Sequence, residues 1–313
     1  MKIPEYKDLT EKGKVFGSNY QQITTIDDLK EFLESVKSFK KCIYRGICEA
    51  KYKNFTSAQR KYIINDYKSN NINDLIQKQI ESVRREHKCL LGKYYKSLDI
   101  SPNDFLYLGI AQHYGGISPL LDFTTDFKTA LFFMTDGVVL PLQGVDDIGN
   151  YSSLYYVPND NLSDFNYVIK RVVKKVSNRI KELGIKVRKD DIIELLADFD
   201  IFKDISIDGD FNLLIPNKKV KLVVPIKGKN EKLSVIFSIS NLNIVAQKGC
   251  FVFYLPTNSS LPFEAPLHCI DIHKSLIPYI IEYANLKKSD IYPDEYELVK
   301  DSCYKAIRNI LNK

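Results

Sequence analysis

Two short segments concentrate the side chains of this protein that could do chemistry. Leu108-Gly109-Ile110-Ala111-Gln112-His113-Tyr114-Gly115-Gly116 brings an amide, an imidazole and a phenol up to a glycine pair. Leu120-Leu121-Asp122-Phe123-Thr124-Thr125-Asp126 follows almost at once, with two carboxylates and two hydroxyls. Apolar residues separate the polar ones. A surface loop has no need of so many apolar residues, and a plain core segment avoids so many polar ones. A buried polar group without a partner costs free energy, so a polar cluster set in apolar sequence is a candidate site. A third segment, Ile43-Tyr44-Arg45-Gly46, places an arginine at the end of an apolar run. Its planar guanidinium suits a phosphate or a carboxylate, and Gly46 admits a ligand or a backbone at close range.

Each segment also has a plainer reading. Arg45 can pair with an internal carboxylate, His113 can close a helix, and the Thr124 and Thr125 hydroxyls can serve turns and caps. A nuclease would need a carboxylate cluster for metal, or a histidine pair. The four histidines (His87, His113, His268, His273) offer no such pairing, and His268 and His273 flank an expected strand. The six cysteines lack a C-x-x-C spacing and are expected to be reduced thiols, with no metal site.

The elements that must position these residues follow from periodicity. Thr25-Ile26-Asp27-Asp28 opens a helix running to about Phe39, with Ile26, Leu29, Phe32, Leu33 and Val36 on one face. Cys42 to Arg45 reads as a short strand. Asn73 to Leu91 reads as a long helix, and a further one starts at Ser101-Pro102-Asn103-Asp104 and ends at Gly115-Gly116. Asp126 caps a helix over Phe127 to Thr135. Strands are expected over Ser152 to Val157, Lys219 to Ile226, Leu233 to Ser238 and Cys250 to Leu255. Helices are expected at Lys274 to Ala284 and Tyr296 to Leu311, with a turn at Ile291-Tyr292-Pro293-Asp294 between them.

Residues 162–205 read as a helical insertion between strands. Lys170, Arg171, Lys174, Lys175 and Arg179 lie beside its apolar stripe, as a solvated face or a contact for a phosphate backbone. The chain therefore reads as one α+β unit: a mixed or antiparallel sheet flanked by helices. An N-terminal helical segment (1–40) precedes the main domain (41–300), and a helix end (301–313) follows it.

Composition bounds the rest. The 313 residues are 44% hydrophobic, as in a globular protein. No apolar run nears the roughly 18 residues that cross a bilayer, and the charged N-terminus lacks the centre of a signal peptide. A soluble, cytoplasmic protein without a membrane partner is expected. The net charge of +6 leaves a polyanionic partner open without requiring one.

In combination the motifs resemble the FRG-domain family, which takes its name from a Phe/Tyr-Arg-Gly motif matched by Tyr44-Arg45-Gly46. Gln112-His113-Tyr114-Gly115 matches the family's next segment. Leu120-Leu121-Asp122-Phe123-Thr124, then Ala130 and Phe133, match its Leu-Leu-Asp-x-Thr segment and following helix. Gln247-Lys248-Gly249-Cys250-Phe251 approaches a later Gln-x-Gly-x-Phe pattern, and Tyr292-Pro293-Asp294 is similar to the family's close. The resemblance runs over roughly residues 40–300 and names no settled activity.

The motif order is also similar to that of the arginine–serine–glutamate mono-ADP-ribosyltransferases. That resemblance implies an ADP-ribosyltransferase-like fold, NAD as the cofactor and a nucleic acid or protein as acceptor. Arg45, beside Tyr44 and Gly46, would hold the NAD phosphates. Gln112, Thr124, Thr125 and Gln247 would help to bind it, Tyr114 would stack on the nicotinamide and His113 would bond a ribose hydroxyl. The class glutamate has no clear match. Gln247 falls on an expected strand but carries no charge; Asp122, taken as the best-embedded carboxylate, is the expected stand-in, with Glu264 in reserve. The other implied reading is a non-catalytic domain that senses a ligand or binds a partner. The family resemblance also associates the chain with bacterial toxins and phage defence.

Overall fold

The computed structural model describes residues 2–39, 42–65, 72–86, 93, 104–113, 115–138, 147–158, 235–236, 242–254 and 258–293. Among the described residues seven strands form one sheet: β1 (Tyr20–Ile23), β2 (Ile43–Ile47), β3 (Leu120–Thr124), β4 (Tyr151–Val157), β5 (Val235–Ile236), β6 (Gly249–Phe253) and β7 (His268–His273). Their order is β1-β7-β4-β2-β3-β6-β5. Among the described residues only the β1–β7 pair is parallel; the other pairs are antiparallel. The α+β class and the mixed or antiparallel sheet expected from the sequence are both present, the sheet being mostly antiparallel.

Helices α1 (Leu9–Phe16), α2 (Ile26–Val36), α3 (Ser57–Ile64), α4 (Ile72–Glu86), α5 (Asp104–His113), α6 (Phe127–Thr135), α7 (Leu242–Ala246), α8 (Ile277–Ala284) and α9 (Lys288–Ile291) surround the sheet. Strand alternation gives the sheet two apolar faces. On one, Tyr44, Leu154, Ile270 and Ile272 pack against α2, α6 and α8 through Leu29, Leu33, Ala130, Leu131 and Ile280. On the other, Ile43, Phe123, Tyr155 and Val252 meet Tyr6, Phe16 and Phe263.

Local signals set several ends. Thr25 Oγ1 accepts from the Asp28 amide at 3.2 Å and starts α2. Asp126 starts α6, its carboxylate accepting from the Thr129 amide (3.2 Å) and hydroxyl (2.8 Å). Gly115, at φ 76°, turns the chain after α5. Gly46 has a different purpose: a Cβ there would lie 1.9 Å from the Ala130 carbonyl oxygen and 2.6 Å from the Met134 nitrogen. The close approach expected at this glycine is that of the α6 backbone.

Two placements differ from expectation. Gln247 sits in the turn between α7 and β6, because the chain reverses at Lys248 (φ 45°) before the strand begins at Gly249. Asp122 is exposed on a strand whose other four residues are buried. The insertion over 162–205, the strand over Lys219 to Ile226, the helix over Tyr296 to Leu311 and the terminal segment 301–313 lie outside the described residues.

Candidate functional site

β2 and β3 pair at one position, Tyr44 opposite Thr124. Just beyond it, Arg45 and Gly46 on β2 and Asp122 and Phe123 on β3 line a common cleft of about 310 Å³. That is the low end of small-molecule sites, which run from about 300 to 1,000 Å³. Gln112 from α5 and Phe133 from α6 contribute to its wall, as do Asn243, Gln247 and Tyr292. The Tyr44-Arg45-Gly46 segment thus meets the distant Gln112 and Asp122 segments where two central strands part.

Arg45 bridges the parting. Its Nε donates to Asn54 Oδ1 at 3.2 Å, and its Nη1 donates to the main-chain oxygen of Asp122 at 2.7 Å. Both acceptors are neutral. Among the described residues no carboxylate forms an ion pair with it. Burial holds its guanidinium below the usual arginine range; Asp122 opposes that shift and Arg60 adds to it. An arginine stays protonated in proteins, so the cleft carries a positive charge with N–H groups to spare.

The Asp122 carboxylate accepts from Gln112 Nε2 at 2.8 Å, and Gln112 Oε1 accepts from Ser57 Oγ at 3.4 Å. The plain reading of Arg45, an internal ion pair with this carboxylate, is replaced by a bond to the same residue's main chain. Thr124 Oγ1 donates to the Gln247 carbonyl at 2.7 Å, and Gln247 Nε2 donates to the Ile291 carbonyl at 3.1 Å. Tyr292 lies edge-on to Phe132 and Phe133, with centroids 6.3 Å away in both cases. Partial burial raises its phenol pKa, and Asp136 and Asp122 push the same way.

The other expected site residues fall elsewhere. Thr125 is exposed, and its hydroxyl donates to the Lys248 carbonyl at 3.3 Å. Glu264 lines a separate cavity with Phe16, Tyr254 and Leu267, and accepts from the Tyr6 hydroxyl at 2.7 Å. It does not join Asp122. His113 ends α5, but its side chain, and all of Tyr114, lie outside the described residues. His268 and His273 sit at the two ends of β7; the first stacks on Tyr156 at 4.6 Å and the second bonds Ser275 at 2.7 Å.

Sequence reasoning gave no site role to Asn54, Asn243, Phe133 or Tyr292. Phe133 and Tyr292 belong to the quoted motifs, and their aromatic character beside polar words was the available signal. Asn54 and Asn243 stand in ordinary surroundings, and nothing in the sequence marks them.

Comparison with known proteins gives one family: the FRG domain matches residues 40–138. No curated protein matches the chain, and no solved structure does.

Proposed function

The FRG-domain segment, residues 40–138, contributes both strands that part at the cleft, and from that premise we propose that the cleft binds NAD and supports transfer of its ADP-ribosyl group. The observation that carries this reading is Arg45. It is a half-buried cation held by neutral partners, facing the same cleft as a carboxylate and several aromatic residues, Phe133 and Tyr292 among them. An anionic ligand group would complete it with paired, charge-assisted hydrogen bonds.

On this reading the NAD pyrophosphate lies against Arg45. Phe133 and Tyr292 supply surfaces for the nicotinamide ring, and the rest of the dinucleotide extends from the open cleft. The bond from the ribose anomeric carbon to the nicotinamide nitrogen breaks, and its electron pair leaves with nicotinamide. Asp122, steadied by Gln112, stabilises the positive charge that develops on the ribose. The acceptor's nucleophile bonds that carbon and gives its proton to Asp122, which, being exposed, returns it to solvent. A nucleic acid or a protein would be the acceptor; a salt titration of binding to RNA and DNA separates them, since phosphate contacts give a steep salt dependence.

Calorimetry with NAD and chromatography of released nicotinamide test the reading. Arg45→Ala is expected to weaken NAD binding by at least about tenfold. Asp122→Asn is expected to keep binding and lose nicotinamide release. Equal NAD affinity in wild type and Arg45→Ala would overturn the assignment.

A second reading, ligand sensing without transfer, is favoured by one feature. The cleft wall is tied together by the hydrogen bonds running from Thr124 to the Gln247 carbonyl and from Gln247 to the Ile291 carbonyl. A ligand that spreads the wall would move all three segments. NAD binding with no nicotinamide release from wild type supports this second reading.

A further inference from the structure

Asn54 lies outside every motif, yet it is the side chain on which Arg45 rests. It is 1% exposed, and the next two residues, Phe55 and Thr56, are buried as well. Its main-chain oxygen accepts from the Phe263 amide at 2.9 Å, which fixes the residue where it is. Its Oδ1 accepts from Arg45 Nε at 3.2 Å, while its Nδ2 is buried and has no hydrogen-bond partner among the described residues.

This arrangement is poor for stability. A buried donor left unsatisfied gives up its bonds to water and gains none in return. An aspartate in the same place would remove that donor and give the guanidinium an ionic partner. What the amide does, and a carboxylate would not, is hold the guanidinium without cancelling its charge. The second acceptor, the Asp122 carbonyl, has the same property, and the Asp122 carboxylate is engaged by Gln112 instead. Arg45 is therefore fixed through Nε and one Nη1 proton, leaving the other Nη1 proton and both on Nη2 for a ligand.

We infer that Asn54 is a positioning residue, whose neutral amide fixes the Arg45 guanidinium in the cleft while leaving its charge free for the pyrophosphate of a nucleotide. This rests on the cleft reading above but not on any transfer step, so the probe is ADP, which carries the pyrophosphate without nicotinamide.

The test compares Asn54→Asp and Asn54→Ala by calorimetric titration with ADP and by thermal melting, beside Arg45→Ala. Asn54→Asp retains size and acceptor but pairs the cation; Asn54→Ala removes the acceptor and adds no charge. If Asn54 sets the charge of the site, Asn54→Asp loses at least about tenfold in ADP affinity and Asn54→Ala loses less, although Asn54→Asp melts at the higher temperature. A merely structural residue gives the opposite order, with Asn54→Ala the weaker binder. That order, or wild-type affinity in Asn54→Asp, overturns the inference. If Asn54→Asp does not fold, Asn54→Ala decides: a loss of affinity in protein that melts within a few degrees of wild type supports the inference, and wild-type affinity overturns it. Undiminished ADP affinity in Arg45→Ala, or no ADP binding by wild type, overturns the cleft reading and this inference together. Loss in Arg45→Ala with none in Asn54→Asp overturns this inference alone.

Discussion

Arg45 and Asp126 show how single side chains divide the labour around the cleft. Arg45 has neutral acceptors and keeps its charge available, whereas Asp126 is fully employed. Its carboxylate caps α6 through the Thr129 amide and hydroxyl and accepts from Lys248 Nζ at 3.2 Å. Burial pushes its pKa up, but the Thr129 and Lys248 contacts outweigh that and hold the carboxyl below the usual aspartate range. A carboxyl with a depressed folded-state pKa contributes stability above its unfolded-state value near 4, and that contribution is lost as pH falls through the lower, folded value. Asp126→Ala is expected to lower stability by about 0.5–2 kcal/mol at neutral pH, the usual range for losing an N-cap. Denaturant titrations at neutral pH and near pH 2 check the sign: the gap between wild type and variant should narrow on acidification. A constant gap would show that the carboxylate's charge contributes nothing to the cap.

At the scale of elements, the cleft exists because β2 and β3 pair once and then part, and α6 braces β2 from one side. Gly46 is the contact between strand and helix, with its missing Cβ only 1.9 Å from the Ala130 carbonyl oxygen. Gly46→Ala must push α6 away from β2, and α6 carries Phe133 into the cleft. Overpacking of this kind costs about 1–3 kcal/mol, sometimes more. Calorimetric melting of Gly46→Ala is expected to show that loss, together with weaker NAD binding; unchanged melting would mean that α6 shifts freely. The sequence reading found α2, α5 and α6 because each has a strong local signature: the Thr25 cap, the glycines that end α5 and the Asp126 cap. It missed α1 because Lys12, not an apolar residue, fills part of that helix's buried face. It missed α3 although Thr56 and Gln59 form a reciprocal cap, because Gln59 and Ala58 are its only buried residues. It put Gln247 on a strand because the reversal at Lys248 needs a positive φ that lysine does not advertise. The convergence of Tyr44-Arg45-Gly46, Gln112 and Asp122 rests on pairing between distant strands, which spacing along a chain does not encode.

Across the whole molecule, the face of the sheet opposite α2, α6 and α8 is tied together by a buried charge rather than by apolar contact alone. Lys12 on α1 is fully buried, and its Nζ donates to the Ala50 carbonyl (2.8 Å), Ser153 Oγ (2.6 Å) and Asp271 Oδ1 (2.7 Å). All three ammonium protons are matched, and the rings of Tyr6 and Tyr155 lie 5.4 and 5.2 Å away. The other Asp271 oxygen accepts from the Tyr20 hydroxyl at 2.9 Å, on the parallel edge strand β1. This network joins α1, β1, β4 and β7 through specific geometry, and it explains how a short edge strand with two exposed glutamines holds its register. Such pairs add little stability over an apolar substitute, but removing one partner strands a charge out of water. Lys12→Met is therefore expected to cost about 3–5 kcal/mol, read as a lower denaturant midpoint. Lys12→Met combined with Asp271→Asn should recover part of that loss, because the amide keeps an acceptor for Tyr20 and leaves no unpaired charge. If the double variant is no more stable than Lys12→Met alone, packing around the lysine stem, and not its charge, is what binds α1 to the sheet.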